Sequence, residues 1–437
     1  MRVALLGYDT DGKVSYPYFI AHGHDVTICD QNADVVLPEG AKAQLGQSYL
    51  ENLDQFDLLV RTSGMPPHII TDANPSVADK ITTQIEVFLA NAPTKNIIGV
   101  TGTKGKGTTS TLIANMLEAA GKDVHIGGNI GIPPLSFIDE LNEDSFVVLE
   151  LSSFQLMNVR HSPHIAVCLM VVPEHLNWHK DMDEYVWAKS QLFANQTAED
   201  VAIYAGFNEV SSRIAGTGNG QKIAFGTDDS EGAHVKDGAI WIDSVEICKT
   251  SELALLGAHN QQNACAAVTA VWQADVRDTV AITDVLKNFS GLPHRLEKVA
   301  FVDGVTYYDD SFGTTPETAI VALEAFEEPK VIILGGSDKG ASYAALAEAV
   351  SRTNVRKVVL IGNQADRIQE ALTQAGFTNT VTAGETMKDI VATAQGHAQA
   401  GDIVLLSTAC ASFDMFTDYK DRGNQFRAAA QALEVTV

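Results

Sequence analysis

The residues with the clearest chemical signature lie at 97–113, IIGVTGTKGKGTTSTLI. An apolar β-type run (Ile97, Ile98, Val100) enters a turn carrying Gly102, Gly105 and Gly107, and a helix-forming run, TSTLIANMLEAA, leaves it. Glycines let successive backbone N–H groups curl toward one anion, and the helix start beneath adds its partial positive charge. Lys106 offers a point charge to β- and γ-phosphates, and Thr108 or Thr109 a hydroxyl to Mg²⁺. The order G-T-K-G-K-G-T departs from the common phosphate loop, with no glycine at Val100 and one directly after the lysine. A ligand-free glycine turn is the plain alternative. Strand, three glycines, lysine, two threonines and helix together predict nucleoside triphosphate binding.

Other candidates follow from their positions. Glu150 closes the apolar run FVVLE, and a carboxylate ending a buried strand after a phosphate loop can give Mg²⁺ a second ligand; an edge carboxylate facing water is the alternative. His175 and His179, in P-E-H-L-N-W-H, could be metal ligands, bases or satisfied loop histidines, and no third zinc ligand stands at sensible spacing. Lys189 sits in the helical run DMDEYVWAKSQLF, where a lysine is ordinarily a solvated charge. Asn260 and Asn263 lie three apart at the start of an Ala-rich helix, on one face, able to meet a base or ribose; Asn260 could instead cap the helix. Asp30, ending a strand, could bond ribose or base or be an ordinary strand-end carboxylate.

The elements that must position these groups alternate along the chain. Strand-like runs at 3–7, 25–30 and 57–64 and a helix over 78–91 predict a small α/β unit before Pro93. Its first turn reads G-Y-D-T-D-G, with Asp9 where a dinucleotide loop needs its middle glycine, so the dinucleotide signal is weak. The runs DVHIGG, FVVLELSS, IAVCLMVVP and DVAIYAG alternate with helices and predict a mostly parallel sheet, followed by a β-rich patch at 222–249 turning at Asp237-Gly238. After Gly291 a third unit begins with a hairpin at Asp303-Gly304, then three strand–loop–helix units starting at VIILGGSDKG, VVLIGNQADR and IVLLSTACASFD.

A chain of 437 residues with 45% apolar content suits about two to four packed domains. Its net charge of −25 argues against nucleic acid and anionic membranes as partners, and requires local lysine, backbone N–H groups and metal wherever polyphosphate binds. The longest apolar runs, such as 165–172, are too short to cross a bilayer, and MRVALLG carries no secretory pattern. Five cysteines without C-x-x-C pairing read as buried thiols in a reducing compartment, hence a cytoplasmic protein.

With these pieces in order, the chain resembles the Mur ligase family over nearly its whole length. The segments that carry the resemblance are VTGTKGKGTT, GGNIGIPPL, VLELSSFQL, the EH of PEHLNWH, the AK of VWAKSQLF, GAHNQQNA, GLPHRLE, DDS, LGGSDKG and ACASFDMFTDYKDRGNQF. The resemblance implies an α/β protein of three domains. These are a Rossmann-like UDP-substrate domain (1–92), a central P-loop ATPase domain with a parallel sheet (93–291) and a Rossmann-like C-terminal domain binding the incoming amino acid (292–437). It also implies an ATP-dependent amide ligase, monomeric, that adds D-glutamate to UDP-N-acetylmuramoyl-L-alanine through an acyl phosphate.

Carried over residue by residue, Thr103, Lys104, Gly105, Lys106, Gly107, Thr108 and Thr109 resemble the ATP loop. Asn260, Asn263, Arg295 and Asp310 resemble further ATP contacts. Thr108 and Glu150 look like ligands of the nucleotide Mg²⁺, and His175 like a ligand of a second metal. Lys189 matches the family's carbamylated lysine, which requires a neutral amine. Asp30, Gly64, Asn129, Ser152 and Gln155 resemble contacts to the UDP-muramoyl-alanine substrate, and Thr314, Lys339, Ser412 and Tyr419 the pocket for the incoming amino acid.

Three departures stand out. K-G-T in place of K-S/T is more like folylpolyglutamate synthase, a relative with the same chemistry on a folate. Phe312 stands where such ligases usually carry a lysine, which leaves L-glutamate or another amino acid open as acceptor. Asp9 and Asp11 alter the glycine-rich N-terminal turn that would face uracil. The readings of other classes are a dinucleotide-dependent oxidoreductase, which Asp9 opposes, and a non-catalytic nucleotide binder, for which a second metal site has no use.

Overall fold

In the computed structural model, which describes residues 1–433 except 131, 177, 256 and 338–340, the phosphate-loop strand lies inside a six-stranded parallel sheet. Two compact units make up the chain, Met1–Phe289 and Ser290–Val437.

The first unit opens with β1 (Arg2–Leu6), β2 (Asp25–Asp30), β3 (Lys42–Leu45), β4 (Leu58–Arg61) and β5 (Ile81–Thr82), all parallel in the order β3-β2-β1-β4-β5. The second sheet holds β6 (Ile97–Thr101), β7 (Val124–Gly128), β8 (Phe146–Glu150), β9 (Ile165–Cys168), β10 (Val201–Ala205) and β11 (Gln221–Phe225) in the order β11-β10-β9-β6-β8-β7. β6, β8 and β9 are buried throughout, as a parallel sheet covered on both faces requires. One apolar cluster runs from Val3, Ile28 and Val60 through Phe88 to Leu149 and Leu156, so the first two sheets share packing. An antiparallel trio, β12 (His234–Lys236), β13 (Ala239–Ile242) and β14 (Val245–Lys249), forms the predicted β-rich patch. Asp237 and Gly238 turn it with φ of 50° and 74°, the left-handed pair that a two-residue hairpin favours.

The second unit has β15 (Glu297–Val302), β16 (Val305–Asp309), β17 (Lys330–Gly335), β18 (Val355–Ile361), β19 (Thr380–Thr382) and β20 (Ile403–Leu406), ordered β15-β16-β20-β17-β18-β19. β15 and β16 form the predicted hairpin at Asp303-Gly304, and the remaining pairs are parallel. Apolar clusters cover both faces of this sheet.

One expectation is corrected and one alternative reading is excluded. The helix predicted over 78–91 is a 3₁₀ turn (Pro75–Lys80), the short strand β5, and a helix only from Gln84 to Asn91. Ile81 and Thr82 are β-branched or apolar residues that pair with β4, and the Thr83 hydroxyl caps the helix by accepting from the Glu86 N–H. Asn260 does not cap its helix, Ala258–Gln273; Gly257 takes that place. The five cysteines are free and buried, and burial pushes the Cys29 and Cys265 thiols up to about 12. Among the described residues no helix is long and apolar enough to cross a membrane.

Candidate active site

The order of the second sheet decides where chemistry can occur. β6 lies between β8 and β9, with Val100 opposite Glu150 and Thr101 opposite Cys168. Three loops therefore emerge side by side at the carboxyl ends of these strands, where open α/β sheets form crevices. They carry residues 102–105, 151–152 and 169–179.

The first loop turns at Gly102 (φ 147°) and Gly105 (φ 87°), and the helix Lys106–Ala119 starts directly after. Both positions demand glycine. A Cβ on Gly102 would lie 2.7 Å from the Leu169 Cβ, and one on Gly105 would lie 2.2 Å from the Asn263 Oδ1. Asn263, 8% exposed, thus packs beneath the loop; it donates to the Asn260 Oδ1 (3.2 Å) and accepts from the Thr109 hydroxyl (3.5 Å). Lys106 folds over the loop and donates to the carbonyls of Gly102 (3.2 Å) and Thr103 (3.0 Å). The Thr103 hydroxyl donates to the Val172 carbonyl (3.0 Å) and meets the Tyr185 hydroxyl (3.1 Å), tying the first loop to the third. Lys104 pairs with Glu174 at 2.5 Å. Thr108 is half-buried in the first helical turn, beside the buried Gly107.

Lys189 is the least ordinary group here. It is 1% exposed, on the inner face of the helix Met182–Ala194, and donates to the Gly102 carbonyl at 2.8 Å from beneath the loop. Its ammonium lies 4.6 Å from the Tyr185 ring centre. Burial first, and then the nearby Lys106 cation, hold its pKa down at about 7.

Glu150 is 2% exposed. Its Oε1 accepts from the Asn129 amide at 2.7 Å and its main-chain carbonyl from the Asn129 N–H at 2.8 Å, while its Oε2 is buried with no hydrogen-bond partner. A buried carboxylate oxygen left unpaired is costly unless something cationic meets it.

The two histidines separate clearly. His179 is buried, bonded through Nε2 to the Ser153 hydroxyl (2.9 Å), and its Nδ1 lies 3.4 Å from Glu184 without hydrogen-bond geometry. His175 holds a left-handed backbone (φ 59°), is about half exposed, and its Nε2 lies 3.7 Å from Glu174. Burial lowers its pKa; Glu174 opposes this, and Lys106, Lys189 and Lys104 add to it, so His175 belongs to the same electrostatic cluster as the loop.

Ser152 and Gln155 form a capping box on the helix Ser153–Leu156: the Gln155 Oε1 accepts from the Ser152 N–H (3.0 Å), and the Gln155 N–H donates to the Ser152 hydroxyl (3.3 Å). On the first sheet, Asp30 accepts the N–H groups of Tyr8 (2.7 Å) and Asn32 (2.8 Å). Asp9 accepts from the Thr62 hydroxyl and Asp11 from the Ser63 N–H and hydroxyl, so carboxylates tie the first turn to the loop after β4. Gly64 is exposed, and its carbonyl accepts from the Trp178 indole at 3.2 Å.

In the second unit, Asp310 is 8% exposed, accepting from Ser407 (2.6 Å) and from the Leu296 N–H (3.3 Å); burial pushes its carboxyl up to about 6. The Arg295 guanidinium lies 4.0 Å from the Phe312 ring centre. Ser412 is buried on the loop after β20, Tyr419 begins the helix Tyr419–Ala432, and Thr314 is half-buried on the loop after β16. Lys339 lies outside the described residues. His294, Glu297 and Asp309 stand at metal-ligand spacing, but His294 is bonded to Asp309 (2.7 Å) and Glu297 to Arg427 (2.6 Å).

Four positioning groups escaped the sequence reading. Glu174 pairs with the loop through Lys104, and Tyr185 meets both Thr103 and Lys189. Arg61, 1% exposed, donates to the carbonyls of Met65 and Phe154 and to Asn158, joining the first two sheets. Arg422, fully buried, bonds Ser311 and the Cys410 carbonyl. Arg61 left a signal as a charge inside an apolar strand, and Glu174 and Arg422 lie within segments that carry the family resemblance without being singled out there.

Comparison with known proteins adds to this geometry. The Mur ligase middle domain matches residues 100–271, and the Mur ligase glutamate ligase domain matches 294–410. The UDP-N-acetylmuramoylalanine–D-glutamate ligase of Acetivibrio thermocellus is 37% identical, covering 99% of this chain and 97% of that protein. The enzyme of the same name from Symbiobacterium thermophilum is also 37% identical, over 99% and 98%. Among solved structures, the MurC ligase of Thermotoga maritima aligns over 99% of both chains with a TM-score of 0.55 at 16% identity. The MurF ligase of the same organism, in complex with ADP, covers 100% of this chain and 95% of its own, also at 0.55 and 16%. These two likenesses are of fold.

Proposed function

The chain belongs to the Mur ligase family, and we infer from that premise that it is an ATP-dependent ligase joining D-glutamate to UDP-N-acetylmuramoyl-L-alanine in peptidoglycan precursor synthesis. The observation that carries this reading is the full-length match to D-glutamate ligases, which spans the phosphate loop and the C-terminal unit alike.

The reaction begins with a poor electrophile. A carboxylate resists attack by an amine until one of its oxygens is phosphorylated, so the terminal L-alanine carboxylate attacks the γ-phosphorus and ADP departs. The D-glutamate amine then attacks the acyl carbon, the C–O bond breaks, and inorganic phosphate leaves with that oxygen. The first transfer needs neutralised charge around the moving phosphoryl group. Lys106, now bonded to loop carbonyls, can exchange them for phosphate oxygens, and the start of the helix Lys106–Ala119 adds its partial positive charge.

Mg²⁺ fits the residues present: the unpartnered Glu150 Oε2 and the Thr108 hydroxyl would hold one ion, and His175 with Lys189 a second. Bound there, the ions would neutralise phosphate charge. Lys189 suits carbamylation. Its low pKa leaves much of the amine neutral near pH 7, so the Nζ lone pair can attack CO₂, forming a C–N bond and losing a proton. Asn129 fixes Glu150, and Asn260, Asn263, Arg295 and Asp310 supply the remaining ATP contacts. Asp30, Gly64, Ser152 and Gln155 face the UDP substrate in this reading, and Thr314, Lys339, Ser412 and Tyr419 the amino acid. The reading takes the enzyme as monomeric and cytoplasmic, which suits its free buried thiols.

The test is phosphate release from ATP with UDP-N-acetylmuramoyl-L-alanine and D-glutamate, L-glutamate or neither. Release with D-glutamate alone is expected. Release with L-glutamate alone would overturn the acceptor assignment, and none with either would overturn the substrate pair.

A further inference from the structure

We propose that Phe312 is a positioning residue that couples the nucleotide and amino-acid ends of the C-terminal unit by holding the Arg295 guanidinium; this rests on the ligase reading above. Phe312 is half-buried on the loop leaving β16, two residues after Asp310. Its N–H donates to the His294 carbonyl at 3.0 Å, which places the ring against the next side chain, Arg295. The guanidinium carbon stands 4.0 Å from the ring centre, close enough for the ring's negative face to orient the cation. On another side, the Tyr419 ring meets Phe312 edge-on at 5.2 Å and 87°. Arg295, Phe312 and Tyr419 thus form one continuous chain of contacts.

The backbone beneath these contacts is fixed at several points. His294 and Leu296 both hold left-handed φ, 64° and 44°. The His294 ring is bonded to Asp309 at 2.7 Å, and the Leu296 N–H donates to Asp310. A Cβ on Gly423 would lie 2.2 Å from the His294 Nδ1, so the helix carrying Tyr419 packs tightly on the same pair. The Ser311 hydroxyl donates to the Tyr419 carbonyl at 2.8 Å. With main chain fixed on both sides, a change at Tyr419 reaches Arg295 through the Phe312 ring. An aromatic face attracts the guanidinium and holds it at this distance, a restraint that an aliphatic side chain does not supply.

Three consequences follow for the intact protein. Replacing the ring with an aliphatic chain weakens nucleotide binding only while Arg295 is present. A second aromatic at 312 preserves it. Glutamate, by engaging Tyr419, changes ADP affinity in the native chain and not in the aliphatic variant, because coupling between two ligands is reciprocal and needs a physical link.

ADP affinity, measured by calorimetry on full-length protein with Mg²⁺, reads this directly. Phe312→Leu is expected to weaken ADP about five- to tenfold in the native background and less than twofold in Arg295→Met, with Phe312→Tyr within about twofold of native. Equal losses in both backgrounds, or a Phe312→Tyr as weak as Phe312→Leu, would overturn the proposal. Should Phe312→Leu melt below assay temperature, Phe312→Met goes through the same cycle. Absence of ligation by the native chain would sink the substrate assignment and leave the cycle between Phe312 and Arg295 interpretable. A native chain that binds no ADP would sink both.

Discussion

Lys189 combines full burial with proximity to a second lysine, both unfavourable to an ammonium ion, and these outweigh its hydrogen bond to the Gly102 carbonyl. Its depressed pKa carries a stability consequence whose sign is fixed. Between about 7 and the ordinary 10.5 the unfolded chain binds more protons than the native one, so native stability rises with pH across that window. Lys189→Met should therefore melt higher than native protein at pH 7, with the advantage fading toward pH 10; an advantage independent of pH would contradict the buried-cation account. Lys189→Ala should lose turnover and regain part of it with acetate, a carboxylate small enough to replace a carbamate. Asp310 gives the mirror case. Its carboxyl is raised from 3.8 to about 6, so the penalty of its charge is absent below pH 4 and complete above pH 6. Asp310→Asn should raise the melting temperature at pH 7, not at pH 4, and weaken ATP binding; thermal scans at the two pH values decide it. Residue types at the phosphate loop were legible because glycine, lysine and threonine declare their chemistry locally. Lys189 was not, since burial of a helix lysine is decided by the strands it packs against. The same holds for the burial of His179, which rests on Ser153, a residue distant in sequence.

At the scale of elements, three adjacent strand ends make the candidate site, and the loop after the central strand approaches Leu169 closely because Gly102 has no side chain. Gly102→Ala would place a Cβ 2.7 Å from the Leu169 Cβ in a backbone region that alanine avoids. We expect a loss of stability of about 1–3 kcal/mol and loss of measurable ATP binding, checked by denaturant melts and calorimetry. Native-like ATP affinity would show that the loop tolerates displacement. Strand, loop and helix here were readable from apolar runs and glycine spacing, and both Asp-Gly hairpins from turn chemistry. Short strands were not. β3, β5 and β19 are two to four residues long and depend on pairing with neighbours rather than on their own pattern. The helix over 78–91 was overextended for the same reason: Ile81 and Thr82 pair with β4, a partner about twenty residues earlier in the chain.

For the whole molecule, a strongly acidic chain places Lys104 and Lys106 on the loop and helix start after the central strand, which would give polyphosphate a local positive charge within an overall negative field. Fold class and chemistry were legible at this scale because ten short segments occur in one order, several of them on loops at strand ends and others, such as the Ala188-Lys189 pair, on helices. Shared packing between the first two sheets was not, since Val3 and Leu149 lie far apart in sequence yet in one core. The central claim is that this chain activates a carboxylate by phosphorylation before amide formation. The direct test uses UDP-N-acetylmuramoyl-L-alanine labelled with ¹⁸O in both carboxyl oxygens, with ATP and D-glutamate, and mass analysis of the released phosphate. One ¹⁸O per phosphate, with the other retained in the amide, is the predicted result; phosphate free of label would contradict an acyl-phosphate route.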